Sequence, residues 1–163
     1  MPRHLSQRTE LAELEGASLA FDGLDRLLGF SLRIAHGVMH RDFIASLAEV
    51  QISQRQTGAL WLIAANPGVS QADLADALIM DRATMVTVLD RLESDGRILR
   101  TRSTSDRRRH ELRLTPKGVK TLAAAKREIA RHEKRFAQRL DPGDLAALLA
   151  CLSTIIATGR GGK

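Results

Sequence analysis

Residues 96–115 read GRILRTRSTSDRRRHELRLT. Between 97 and 113 lie seven arginines, Arg97, Arg100, Arg102, Arg107, Arg108, Arg109 and Arg113, opposed only by Asp106 and Glu111. Seven against two leaves +5, close to the +6 of the whole chain. Ile98 to Arg102 and Arg108 to Leu114 can extend, and Ser103-Thr104-Ser105-Asp106 between them is turn material, so the stretch predicts a β-hairpin. An arginine ribbon matches a polyanion of fixed geometry, and nucleic acid is the commonest one. Without a partner it would be a solvated loop that serves solubility.

Working outward, the flanks are helical. Upstream, Gly96 is a C-cap for a helix from Arg82 to Asp95, capped by Asp81, whose apolar stripe is Met85, Val88, Leu89 and Leu92. Before it, Ser70-Gln71-Ala72-Asp73 reads as a variant capping box opening a short helix through Leu74, Ala75 and Leu78, with Ile79-Met80 as the turn. Ser53 caps a further helix carrying Leu60, Ile63 and Ala64, with Trp61 read as core, which Asn66-Pro67-Gly68 stops. From about Asp22 to Leu47, Leu24, Leu28, Leu32, Ala35, Met39 and Phe43 recur at helical spacing. Downstream, Thr115-Pro116 and Asp141-Pro142 each start a helix. The first runs through Leu122, Ile129 and Phe136. The second has a strongly apolar face of Leu145, Leu148, Leu149, Leu152, Ile155 and Ile156.

Composition narrows the partners. The chain has 163 residues, 44% apolar, and its only Phe, Trp or Tyr residues are Phe21, Phe30, Phe43, Phe136 and Trp61. A core of Leu, Ile, Val and Ala favours helices. Few aromatic platforms exist for stacking single-stranded bases, so a duplex is the expected nucleic acid. The single cysteine, Cys151, excludes an intrachain disulfide, fits a reducing cytoplasm and is read as a buried, inert thiol. No signal peptide and no apolar run of spanning length is read, so the expectation is a soluble, cytoplasmic protein without a membrane partner. There is no Gly-x-Ser-x-Gly, no phosphate loop and no His-Glu-x-x-His, which speaks against an enzyme.

Two short helices joined by a turn and followed by a basic hairpin make a winged helix-turn-helix. The fold class is mainly α with a small β-hairpin (α+β), with long dimerisation helices at both ends. The expected organisation is a mobile arm over 1–19, an N-terminal dimerisation helix over 20–50, and the DNA-binding lobe over 51–115. C-terminal dimerisation helices follow over 116–159, then a frayed tail over 160–163. The helix from Arg82 would enter the major groove. Arg82 could reach guanine or phosphate, Thr87 offers a hydroxyl, and Ala83 and Val86 can touch thymine methyls; Thr84 and Arg91 complete the set. Ser70 and Gln71 are candidate phosphate contacts. Arg107 and Arg109 are candidates for the minor groove, with Arg108 held by Asp106, which stiffens the wing. An apolar final helix that one small lobe cannot cover implies a homodimer, its recognition helices about 34 Å apart, one DNA turn.

The chain resembles the MarR family of transcriptional regulators. Ile52-Ser53-Gln54-Arg55-Gln56 is similar to the family's Leu-Thr-x-x-Gln. Gln71-Ala72-Asp73-Leu74-Ala75, Leu89-Asp90-Arg91-Leu92-Glu93, Asp106-Arg107-Arg108 and Leu114-Thr115-Pro116-Lys117-Gly118 continue the match over about residues 50–120. The resemblance implies a homodimer with interlocking first and last helices on a pseudo-palindromic operator, usually a repressor released by a small molecule. One departure is Val86-Thr87, where many members have Thr-Arg; Arg82 is the candidate to compensate.

His36 and His40, at i, i+4, have the spacing of a metal pair, but no third ligand or cofactor is evident. The bland reading is a polar helix face. A third reading joins them with Arg33, Arg41 and Trp61 in a site for an anionic effector, such as an aromatic acid or its coenzyme A thioester. Two other function classes are a constitutive architectural DNA-binding protein without effector, and a winged-helix adaptor for protein interaction.

Overall fold

The computed structural model describes residues 19–102 and 110–160. The N-terminal arm, apart from residue 19, and the wing residues Asp106, Arg107, Arg108 and Arg109 lie outside them. So do the turn at 103–106 and the last three residues of the tail.

Six helices and one hairpin follow in order: α1 (Leu28–Leu47), α2 (Gln54–Ala65), α3 (Gln71–Ala77), α4 (Arg82–Ser94), β1 (Ile98–Arg102), β2 (His110–Leu114), α5 (Pro116–Ala137) and α6 (Pro142–Arg160). This is the mainly helical winged-helix arrangement expected. The chain forms two units, residues 1–39 and residues 40–163.

In the first unit α1 begins later than the apolar spacing predicts. Asp22 and Gly23 have φ of 46° and 87°, so the chain turns there, makes one 3-10 turn over Leu24–Arg26 and enters α1 only at Leu28. Left-handed backbone cannot be part of an α-helix, and Asp-Gly is a favoured place for it. No described residue of this unit is buried. Phe21 packs edge-on against Phe30 with centroids 5.9 Å apart, and the Arg33 guanidinium lies 5.0 Å over the Phe30 ring.

In the second unit one core is built from α2 (Ala59, Leu60, Ile63), α3 (Leu74, Ala75) and α4 (Met85, Val88, Leu89, Leu92). Leu47, Ile98, Leu112, Leu122 and Ala125 complete it from α1, the wing and α5. Caps set the helix starts. Ser53 accepts from Gln56 N–H while the Gln56 side chain accepts from Ser53 N–H, a full capping box. Asp81 accepts the N–H and the hydroxyl of Thr84. Thr115 accepts from Gly118 N–H with Pro116 in the first helical position. At the end of α4, Arg97 N–H bonds Leu92 O and Gly96 N–H bonds Glu93 O, both at 2.8 Å. That is a Schellman stop, and it needs the φ of +67° that Gly96 supplies.

Three expectations are corrected. Trp61 is not core: it is 40% exposed, beneath the Lys126 ammonium at 4.5 Å. Its position on α2, two before the fully buried Ile63, turns it away from the core side. Cys151 is exposed, not buried, because the chain places nothing over its side of α6. And α6 is itself long and apolar enough to cross a membrane by length and composition, with mean hydropathy 1.4 over Pro142–Gly159 and none of it buried. Asp144 and many small residues dilute the apolar signal of that stretch.

Candidate nucleic-acid interface

Helices α3 and α4 meet through the turn Leu78-Ile79-Met80-Asp81, where Ile79 adopts φ +52° with its side chain 75% exposed. On α4 the buried stripe turns Ala83, Val86, Thr87 and Asp90 outward. Arg91 is exposed, its Nε 3.5 Å from Asp95. Ala83, Val86, Thr87 and Arg91 are positions expected to face DNA, whereas Asp90 is expected to stay away from phosphate. Their hydrogen-bonding state differs, however. The Thr87 hydroxyl donates to Ala83 O at 3.2 Å, so its oxygen keeps acceptor capacity toward a base. The Thr84 hydroxyl is half-buried and donates to Asp81 at 2.6 Å, which makes it part of the cap. Those two hydrogen bonds from Thr84, side chain first and backbone second, hold the Asp81 carboxyl below its ordinary value of 3.8.

Arg82 does not point free. Its Nη2 sits 3.1 Å from both carboxylate oxygens of Asp76 on α3, an exposed ion pair that ties the two helices at the turn. Ser70 is buried. Its hydroxyl accepts from Asp73 N–H and donates to the Asp73 carboxylate at 2.6 Å, so the acid closes on the hydroxyl rather than on the cap's backbone. Ser70, Gln71, Ala72, Arg82, Arg100 and His110 nevertheless line one groove of about 590 Å³ between the α3–α4 pair and the wing. Among the described residues no carboxylate side chain lines it.

The wing is anchored as a ladder. Ile98 pairs with Leu114, Arg100 with Leu112 and Arg102 with His110. Leu112 is also bridged to Val69, and Gly68 N–H bonds Leu112 O at 2.9 Å, so the hairpin continues into the segment before α3. Several of its arginines serve the fold. Arg97 is buried, and both its terminal nitrogens donate to Gln51 O at 3.2 Å, a strut from the wing to the α1–α2 link. Arg100 is paired with Asp90 and Glu93 of α4. Arg113 lies 3.4 Å from Glu111. Arg102 is exposed. Counting charges along the sequence could not separate structural arginines from exposed ones; the spacing of Asp90 and Glu93 on α4 was the signal available.

Sequence reasoning also missed a polar cluster between α1 and α5. The His132 ring is buried between Phe43 and Phe136, with centroids at 5.4 and 5.0 Å, and its Nδ1 lies 2.6 Å from Asp42. Arg135 donates to the same Asp42 oxygen at 2.6 Å and to Ser46 at 2.7 Å. Hydrogen bonds from His132, then Arg135, hold the Asp42 carboxyl below its usual range. Beside this cluster, Phe43, Trp61, Leu62, Leu78 and Ile129 line an apolar groove of about 310 Å³. Of the effector candidates, Trp61 lines this groove, His40 is half-buried on α1, and Arg33 and the exposed His36 belong to the other unit. Among the described residues no His, Cys, Asp and Glu group has metal-binding geometry.

A recognition helix with an exposed outer face, fed by a short helix and flanked by an anchored basic hairpin, defines a winged-helix DNA-binding protein. The sequence model of the MarR family matches residues 52–110. A putative transcriptional regulatory protein for the hcr operon of Thauera aromatica is 35% identical over 148 residues, 90% of this chain and 86% of the relative. The solved transcriptional repressor CouR bound to a 23-mer DNA duplex is 42% identical, with a TM-score of 0.82, covering 86% of this chain and 99% of that one. CouR bound to p-coumaroyl-CoA superposes with a TM-score of 0.79 at 40% identity, covering 85% and 97%. The chain belongs to the MarR family, and it is a non-enzymatic, DNA-binding transcriptional regulator.

Proposed function

We propose that the protein represses transcription as a homodimer on a pseudo-palindromic operator and is released by an aromatic acid or its coenzyme A thioester. The observation that carries the DNA part is the outward stripe Ala83, Val86, Thr87 of α4 beside the groove lined by Arg82, Arg100 and His110. Ala83 and Val86 suit thymine methyls, Thr87 a base amino group, and Gln71 and Arg91 the phosphates alongside. Arg82 reads a base only by leaving Asp76, an exposed pair of small worth that phosphate or guanine can outbid. Arg107, Arg108 and Arg109, with Asp106 in support, are assigned to the minor groove from sequence.

The dimer is supported by apolar surface that the single chain leaves in water. Leu148, Leu149, Ile155 and Ile156 of α6 are 40–55% exposed, and so are Leu24, Leu27, Leu28 and Val38 to 43–63%. On this reading α6 is an interface helix, and the regulator works in the cytoplasm where its DNA is. The division into arm, N-terminal dimerisation helix, DNA-binding lobe, C-terminal helices and tail belongs to the same proposal.

The effector reading rests on the apolar groove at Trp61. Its 310 Å³ and its apolar lining suit an aromatic acyl group. The CouR structure with p-coumaroyl-CoA favours that class. Trp61→Ala should abolish release by such a thioester while sparing duplex binding. Alanine at Arg33, His36 or His40 tests whether the anionic part uses them; an unchanged response removes them from the site.

The deciding experiment is duplex binding against salt, with DNA upstream of the protein's own gene and a scrambled control. With 6–10 phosphate contacts, affinity should fall on the order of 10³–10⁵-fold between 50 and 200 mM salt. Preference for the upstream duplex, lost on adding thioester, supports the reading. Equal weak binding to both, indifferent to thioester, returns the architectural alternative.

A further inference from the structure

Arg100 is the arginine that the DNA-binding reading leaves unexplained. It stands in the middle of β1, in the groove beside α4, where a phosphate ligand would be expected. Yet its side chain is only 19% exposed, against 70% for Arg91 on α4. Its Nη2 donates to Asp90 Oδ1, and its Nε lies 3.1 Å from Glu93 Oε2, an ion pair outside hydrogen-bond alignment. Asp90 and Glu93 are 57% and 43% exposed. Asp90 belongs to the outward stripe of α4, three residues after Thr87, where a bare carboxylate would repel the DNA backbone.

The strand register adds a second argument. Ile98, Arg100 and Arg102 share one side of β1, and Ile98 is fully buried in the core. Ile98 anchors the strand's start. Arg100 is the next residue on that side, and it fastens the strand to α4 through two carboxylates one helical turn apart. This planar fork therefore sets the direction in which the hairpin leaves the lobe relative to the recognition helix.

We propose that Arg100 is a positioning residue for operator binding: it braces the wing against α4 and neutralises Asp90 and Glu93, without contacting DNA. The proposal rests on the DNA-binding role of α4 and the wing. A lysine in its place carries the charge but not the fork, and holds one carboxylate at a time.

The test uses the full chain and a duplex that the wild type enriches from a random 30-mer library. Affinity is read by fluorescence anisotropy from 50 to 200 mM salt for Arg100→Met, Arg100→Lys, Asp90→Asn/Glu93→Gln, and the triple variant with Arg100→Met. Arg100→Met should bind about 3- to 10-fold more weakly with the salt slope of the wild type, because two exposed carboxylates of α4 are left without their cation beside the DNA backbone. The triple variant should regain much of that loss, since the uncompensated acids are gone. Arg100→Lys should lie between, and it carries the test if the methionine variant does not fold by circular dichroism. A slope shallower by about 0.9 with no recovery in the triple variant would make Arg100 a phosphate ligand and overturn the proposal. Unchanged affinity in every variant overturns it too. A wild type that enriches no duplex overturns the operator reading itself, and the role of Arg100 with it.

Discussion

Gly118 lies hard against the backbone of Arg97. A Cβ there would overlap the Arg97 carbonyl oxygen, which accepts from Thr115 N–H at 3.1 Å. The Thr115 hydroxyl meanwhile donates to Gly96 O at 2.7 Å and Lys117 to Asp95 O at 2.6 Å. The Leu-Thr-Pro-Lys-Gly run thus seats α5 on the end of α4, and its glycine is a matter of space. Gly118→Ala should cost about 1–3 kcal/mol in urea unfolding, as overpacking against unyielding backbone does; an unchanged midpoint would contradict that contact. Asp42 yields a pH prediction. Its folded carboxyl titrates below the ordinary 3.8, so its stabilising effect is complete above that value and is lost as pH falls through the folded one. Asp42→Asn should lower stability at pH 7 and flatten the fall in stability below about pH 4, leaving a residual slope from Asp81, which shifts the same way. Denaturant curves at pH 3, 4, 5 and 7 would show it, and identical profiles would remove Asp42 from the acid response.

At the scale of elements, helix starts were legible because a cap is local: Ser53, Ser70, Asp81 and Thr115 each accept an N–H three residues on. Ser53→Ala should cost about 1 kcal/mol. The buried stripe of α4 was legible from period alone, and Leu89→Ala, at a fully buried position, should cost about 2–5 kcal/mol with the denaturant slope unchanged. A loss under 1 kcal/mol would mean that the core there collapses around the gap. Less legible was the start of α1, where apolar spacing continued through Asp22–Gly23 although the backbone turned left-handed. Trp61 misled for a related reason: hydrophobicity says that a side chain can be buried, and only its helical phase against Leu60 and Ile63 says whether it is.

At the scale of the molecule, α6 decides what the chain does with its apolar surface. The chain by itself leaves that helix uncovered, and the proposed homodimer would bury the same face against a second copy. Leu149→Asp/Ile156→Asp should then sediment as a monomer and bind the operator far more weakly, because one recognition helix cannot span two half-sites. A variant that stays dimeric would place the interface elsewhere; a wild type found with membranes would give α6 the other reading that its length allows.

Local chemistry in the sequence determined the helices, their caps, the hairpin and the concentration of charge, since each depends on residues a few positions apart. Family membership followed from the same short motifs. Only the tertiary structure decided which arginines are available. Arg97 and Arg100 were spent on Gln51, Asp90 and Glu93, partners up to 46 residues away. It likewise brought Asp42 to His132 across 90 residues and opened an apolar groove beside Trp61. Charge and hydrophobicity are properties of a residue, whereas pairing and burial depend on what the folded chain sets beside it.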